Sequence, residues 1–316
     1  MFNIVGKRYW YFLLSLIIIV PGTISLVTAH LRLGTDFTGG TELTISVPKA
    51  NQSAGIASAI TKVLPTVDYV QAIVSTKGCP TDCQYLVRTK ETTLAENSKI
   101  QTAIKQAYPG AKGIVSHASV SGTVASQLTQ QAIIAVLAAA VAILLYISFA
   151  FRNAPHPVRF GVAALIAMLH DVLVVLGIFS ILGVLLHVEV DAPFVTAMLT
   201  IIGFSVHDTI VIFDRIRENL GRRTGESFDQ IVNHSILQSF VRSINTSFTV
   251  VLTLLAVFLF TGEAIRYFVL AMLIGIISGT YSSIFNASQI LVVWHNHEIR
   301  RMLHRGENAE PVRAAS

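Results

Sequence analysis

Long apolar runs and short alternating runs occupy different parts of this chain, and they predict different kinds of structure. Six runs, at residues 9–27, 131–149, 160–186, 194–213, 244–260 and 268–294, are mostly apolar. A helix needs roughly 20 such residues to cross a hydrocarbon core. The fifth run is the weakest, being short and holding several threonines and serines, but six spans keep the charged loops on consistent sides. Between the first two runs the period changes. Residues 41–47 alternate like a half-buried strand after the Gly39-Gly40 turn. Residues 53–64 put Ile56, Ile60, Val63 and Leu64 on one helical face. Strands are predicted at 69–75 and 85–88, a helix at 94–108 stopped by Pro109-Gly110, and a last strand at 113–120. The order β-α-β-β-α-β is that of a ferredoxin-like unit.

The composition agrees. Of 316 residues 53% are hydrophobic and 13% charged, with a mean hydropathy of +0.63. A soluble domain carries about a quarter charged residues, so disorder and an all-round polar surface are both excluded. The expected fold class is a polytopic α-helical membrane protein with six transmembrane helices and one extracytoplasmic ferredoxin-like α+β domain. Residues 1–30 form the first span with a cytoplasmic N-terminus, 31–125 the exported domain, 126–295 a five-helix bundle and 296–316 a basic cytoplasmic tail.

The net charge of +5 would by itself suggest nucleic acid, but its placement assigns it to membrane orientation. Lys7 and Arg8, then Arg152 and Arg159, then Arg215, Arg217, Arg222, Arg223 and Arg242, and finally Arg300, Arg301, Arg305 and Arg313 all fall on one side. The short loops opposite hold only Arg266. The positive-inside rule then makes both termini cytoplasmic. A cleaved signal peptide ending at Val27-Thr28-Ala29 is the rival reading of the N-terminus, but its apolar stretch exceeds the usual 7–15 residues. Cys79 and Cys83 flank a short turn in the exported domain, where a disulfide is expected and would shape the loop. A metal site there would have two ligands and no nearby histidine, and none is expected.

Two acids stand well inside spans, each directly after a histidine: His170-Asp171 and His207-Asp208. A central aspartate costs about 2.5–3.5 kcal/mol on insertion scales, and such residues commonly mark ion or proton paths. Helical rise puts Asp208 about 21 Å from the outer surface and Asp171 about 16 Å from the inner one. Arg242, at the cytoplasmic mouth of the fifth span, is the arginine expected to reach toward Asp208. An arginine that approaches and withdraws would let such a site load and release protons. The alternatives are interhelical hydrogen bonding at His170 and Asp171 and a permanent structural pair of Asp208 with Arg242. In the sixth span Ala271, Gly275, Gly279, Ser283 and Ala287 recur every fourth position, a packing stripe more in keeping with one bundle than with a dimer. Residues 227–241 read as a helix capped by Ser227 and lying along the inner membrane surface. Phosphate-loop, zinc-protease and nucleophile-elbow signatures are absent, so the chain is not expected to be an enzyme or to hold a cofactor. Energy for transport would come from an ion gradient.

These residues resemble a known family. Gly34-Thr35-Asp36-Phe37-Thr38-Gly39-Gly40-Thr41 resembles the motif that follows the first span in the SecF family, the smaller subunit of the SecDF protein-export complex. The segment 202–219 around His207-Asp208 resembles that family's fourth-span signature; 243–247, 279–285 and His170-Asp171-Val172 match in family order. The resemblance implies an accessory of the SecYEG translocon that works with SecD in a twelve-span assembly akin to resistance-nodulation-division exporters. It implies that proton flow helps pull translocating preproteins across the bacterial plasma membrane, with Asp208 and Arg242 in proton passage. Two departures stand out: asparagine is usual where this chain has His207, and Ser121-Gly122-Thr123-Val124 lacks an expected proline. The rival functions are a half-sized proton-driven exporter of lipids or small molecules, and a translocon subunit whose polar residues only pack helices.

Overall fold

The computed structural model describes residues 3–48, 52–64, 67–72 (as backbone), 83–222 and 225–296. In chain order the elements are α1 (Arg8–Thr28), α2 (Thr35–Thr38), β1 (Gly40–Val47), α3 (Ser53–Thr61), β2 (Val67–Ala72), β3 (Cys83–Thr89), α4 (Leu94–Ala107), β4 (Gly113–Val120), α5 (Gly122–Ala150), α6 (Pro157–Leu186), α7 (Ala192–Arg222), α8 (Phe228–Phe260), α9 (Glu263–Ser282) and α10 (Ser288–His295). A π-helical turn, Ser283–Ala287, joins the last two into one rod. Among the described residues six helices are long and apolar enough to span a membrane: α1, α5, α6, α7, α8 and the α9–α10 rod. The protein is a multi-pass membrane protein with a small α+β domain between its first two spans.

The rod, α6 and α7 form the centre of the bundle, while α1, α5 and α8 flank it and turn apolar faces outward. Leu13, Ile17, Leu137, Leu145 and Phe248 are among the exposed side chains of those flanking helices. In lipid such faces are solvated, so helices associate through close packing and polar contacts rather than apolar burial. A Cβ added to Gly22 of α1 would lie 2.8 Å from the Cα of Gly177 in α6, so these two backbones touch. Gly275 and Gly279 lie against Ile201 and Ser205 of α7, so the small-residue stripe seats the rod on α7 within one bundle.

One expected element is different. Residues 227–241 do not form a separate surface helix; they are the first half of α8, which runs unbroken from its Ser227/Gln230 capping box to Phe260. No glycine or proline interrupts it, and Val232 and Ile236 are buried in the bundle core beside Phe213 and Ile216.

The small domain between the first two spans is a four-stranded antiparallel sheet in the order β2-β3-β1-β4. Leu43, Ile45, Tyr85 and Val87 pack against Ile56 and Ile60 of α3 and Ile100 and Ile104 of α4. Cys83 is buried at the start of β3 and is disulfide-bonded. Cys79 lies outside the described residues, as does the basic tail beyond Asn296.

A strap joins this domain to the end of the bundle where α6 turns into α7. Leu33 bridges Val190 in the loop between α6 and α7, the Gly34 N–H donates to the Val190 carbonyl at 2.7 Å, and the Val190 N–H donates to that of Arg32 at 2.8 Å. Buried Arg88 of β3 pairs with Glu189 of that loop, and with Glu42 at 3.4 Å. Asp191 caps α7 by accepting from the Phe194 N–H at 3.2 Å. Burial pushes its carboxyl above the ordinary value, and nearby Asp36 and Glu42 add to the shift while the Phe194 N–H opposes it. Because the folded state holds this proton more tightly, the group's contribution to stability is complete below its unfolded pKa, about pH 4. It is lost as pH rises through the shifted value. Asp191→Asn, which keeps a capping oxygen, should therefore melt higher than the parent at neutral pH and the same at low pH. Thermal unfolding in detergent across that range checks this.

Candidate functional site

The two intramembrane aspartates sit in the packed centre, but in unlike surroundings. Asp171 of α6 is buried, and three serines point hydroxyls at it. Ser205 of α7 and Ser282 of α9 each donate to Oδ2 at 2.6 Å, and Ser278 of α9 donates to Oδ1 at 2.7 Å. Its neighbour His170 places Nδ1 3.0 Å from Oδ1. His170 Nε2 then faces the Ser15 hydroxyl of α1 at 3.0 Å, and that hydroxyl also meets the side-chain amide of Asn286, accepting from Nδ2 at 2.8 Å. Ser15 Oγ lies 3.2 Å from Asn286 Oδ1 as well. Its single proton can go to Asn286 Oδ1 or, where Nε2 carries no proton, to His170. Asn286 belongs to the π turn, and such turns are frequent at functional positions. Ser15, His170 and Asn286 also line a cleft of about 900 Å³ between α1, α6 and α10 whose other walls are apolar.

Asp208 of α7 is equally buried, yet among the described residues it accepts one hydrogen bond, from Ser247 of α8 at 3.2 Å. Thr280 of α9 in turn sits 2.6 Å from Ser247. No cation pairs with Asp208 among the described residues. A buried carboxyl with one donor needs a proton or a counter-ion to complete it. Asp171 lacks no donor; Asp208 does.

The other expected members are placed elsewhere. Arg242 does not approach Asp208 within this chain: it is exposed on α8 and makes no ion pair among the described residues. The helix explains why. Arg242 is five residues before Ser247, about 140° round α8 and roughly 7.5 Å along it. His207 is likewise exposed on α7, about 100° round from Asp208. The structure thus joins His170 to Asp171, while among the described residues no hydrogen bond or ion pair links Asp208 to His207 or Arg242. Of the hydroxyl partners, Ser205, Ser247, Thr280 and Ser282 lie within the segments that carry the family resemblance, while Ser15 and Ser278 are legible only as polar residues within apolar runs. Among the described residues no group of three or more histidine, cysteine or acidic side chains is placed to hold a metal ion.

The glycine-rich strap is also explained. Gly39 and Gly40 have φ of 72° and 122°, and a Cβ on Gly40 would lie 2.6 Å from the Thr89 carbonyl oxygen. Only glycine fits there. Asp36, earlier in the same strap, accepts the Ala192 N–H at 2.9 Å, at the first residue of α7.

Comparison with known proteins accords with this geometry. Residues 99–297 match the family described as protein export membrane protein SecD/SecF, C-terminal, and residues 24–47 match the SecD/SecF GG motif. The chain is 49% identical to the protein translocase subunit SecF of Thermobaculum terrenum, covering 97% of this chain and 98% of that one. It is 33% identical to the protein translocase subunit SecDF of Bacillus subtilis, where the match covers 94% of this chain but 38% of the longer protein. The crystal structure of SecDF from Thermus thermophilus, a translocon-associated membrane protein, superposes with a TM-score of 0.80 at 28% identity. That match covers 93% of this chain and 39% of SecDF. With both the sheet-domain strap and the helical bundle matched, the chain belongs to the SecF family of protein translocase subunits, membrane components of Sec protein export.

Proposed function

We propose that the chain works beside a SecD-type subunit and the SecYEG translocon, drawing on the proton gradient to promote late movement of preproteins across the bacterial plasma membrane. Both termini are cytoplasmic in this reading, which the one-sided basic residues support. The observation that carries it is Asp208: a carboxyl buried between packed helices, with one hydroxyl donor and no cation among the described residues. A group so placed is a site for a transient proton, whereas Asp171, held by three serines and a histidine, is a structural anchor and local relay. Gradient-dependent export by membrane vesicles carrying the chain and its partner tests the reading, with Asp208→Asn as the decisive variant.

The outward faces of α7 and α8, which bear His207 and Arg242, are the surfaces assigned to the SecD-type subunit. An arginine near a lipid face calls for a partner. Arg242→Cys is expected to crosslink to that subunit in native membranes. Equal modification by a water-soluble maleimide with and without the subunit would assign the face to something else.

A further inference from the structure

We infer that Asp36 is a positioning residue that makes the strap at 31–40 a rigid strut, carrying displacement of α7 into the exported domain. The inference rests on the proton-coupled reading of Asp208. Asp36 and Asp208 meet the same helix. Asp36 accepts the N–H of its first residue, Ala192, at 2.9 Å, and Asp208 lies sixteen residues further, about 24 Å along the axis. On its other side Asp36 is four residues from Gly40, where β1 begins. Any axial shift of α7 therefore reaches the sheet through a segment too short to absorb it by bending.

The contacts around Asp36 describe a joint held shut. Two backbone hydrogen bonds pair the strap with Val190, and Phe37 packs on the cluster that contains Val188, Val190 and Phe194. Buried Arg88 donates to the Leu33 carbonyl at 3.4 Å and pairs with Glu189, so β3 grips the strap and the loop together. A carboxylate at a helix N-terminus adds charge–dipole attraction to its hydrogen bond. A hinge, by contrast, would show sparse contacts and few buried apolar groups.

Gly34 supplies the test. A Cβ there would lie 3.0 Å from the Val190 carbonyl oxygen, which must give by a few tenths of an ångström, and 3.5 Å from the Cβ of Asp191, within the range of about 3.5–4.5 Å that a disulfide spans. The Gly34→Cys, Asp191→Cys pair should thus lock the joint in its present form. Gradient-dependent export is measured in vesicles carrying the full chain and its partner subunit. Asp36→Ala should fall to the level of Asp208→Asn while assembly is retained, and Asp36→Asn, which keeps an acceptor, should stay near the parent. Adding the cysteine pair to Asp36→Ala should restore gradient-dependent export when oxidised and lose it again in dithiothreitol. Full activity of Asp36→Ala overturns the strut, and so does an oxidised lock in the Asp36 background that stops export. If instead Asp208→Asn exports normally, the proton-coupled reading fails, whatever the strap variants do.

Discussion

Asp208→Asn should leave a chain that folds, assembles with its partner and no longer responds to the gradient. Asparagine has the shape of aspartate, and its Oδ1 still accepts from the Ser247 hydroxyl that donates to Asp208. What it lacks is a site for a transferable proton. A membrane potential supplies about 2.3 kcal/mol per charge per 100 mV, roughly a fiftyfold factor in an equilibrium ratio. Export by parent vesicles should fall when an ionophore collapses the gradient, toward the level the variant shows throughout. The variant should be insensitive to the ionophore. A variant whose export still drops with the ionophore would move the coupling to another group, with His170 and Asp171 the next to test.

Replacing Asp171 should have a different signature, in stability rather than coupling. Asp171→Leu would strand the hydroxyls of Ser205 and Ser278 and the Nδ1 side of the His170 ring against a hydrocarbon side chain, while Ser282 keeps the Gly279 carbonyl at 3.2 Å. Each stranded buried polar group costs about 1–3 kcal/mol, so the total is on the order of several kcal/mol, against a typical stability of about 5–15 kcal/mol. Asp171→Asn should be much milder, because a serine can turn its hydroxyl to accept from the new amide. The check is thermal unfolding in detergent with protease resistance as a second probe: a large drop for leucine and a small one for asparagine. Parental melting of the leucine variant would show that the serine cage does not hold the bundle together.

Part of the architecture is legible in the order of residues alone. Span number follows from the length of contiguous apolar runs, with the sidedness of the charged loops deciding the short fifth one, and the small α+β domain from a change of period between residues 41 and 120. The two intramembrane aspartates were equally plain, since each interrupts an apolar run. The small-residue stripe at Gly275 and Gly279 was readable too, because a four-residue period marks one helical face. The strap motif was visible as residues but not as a device. Nothing in its spelling relates Asp36 to Ala192, 156 residues away.

Tertiary structure decided the rest. Asp171 and Asp208 look alike in sequence, each behind a histidine, yet one is surrounded by serines of two other helices and the other meets a single hydroxyl. Arg242 was expected near Asp208 from depth alone, and depth does not set direction: its place on the turn of α8 points it outward. The helix predicted to lie along the membrane surface became the first half of α8 for a similar reason, its apolar residues finding a face of the bundle to bury against. Length and period are written in neighbouring residues. Which side chains meet depends on how each helix is rotated and slid against the others, and that is settled only when every contact is made at once.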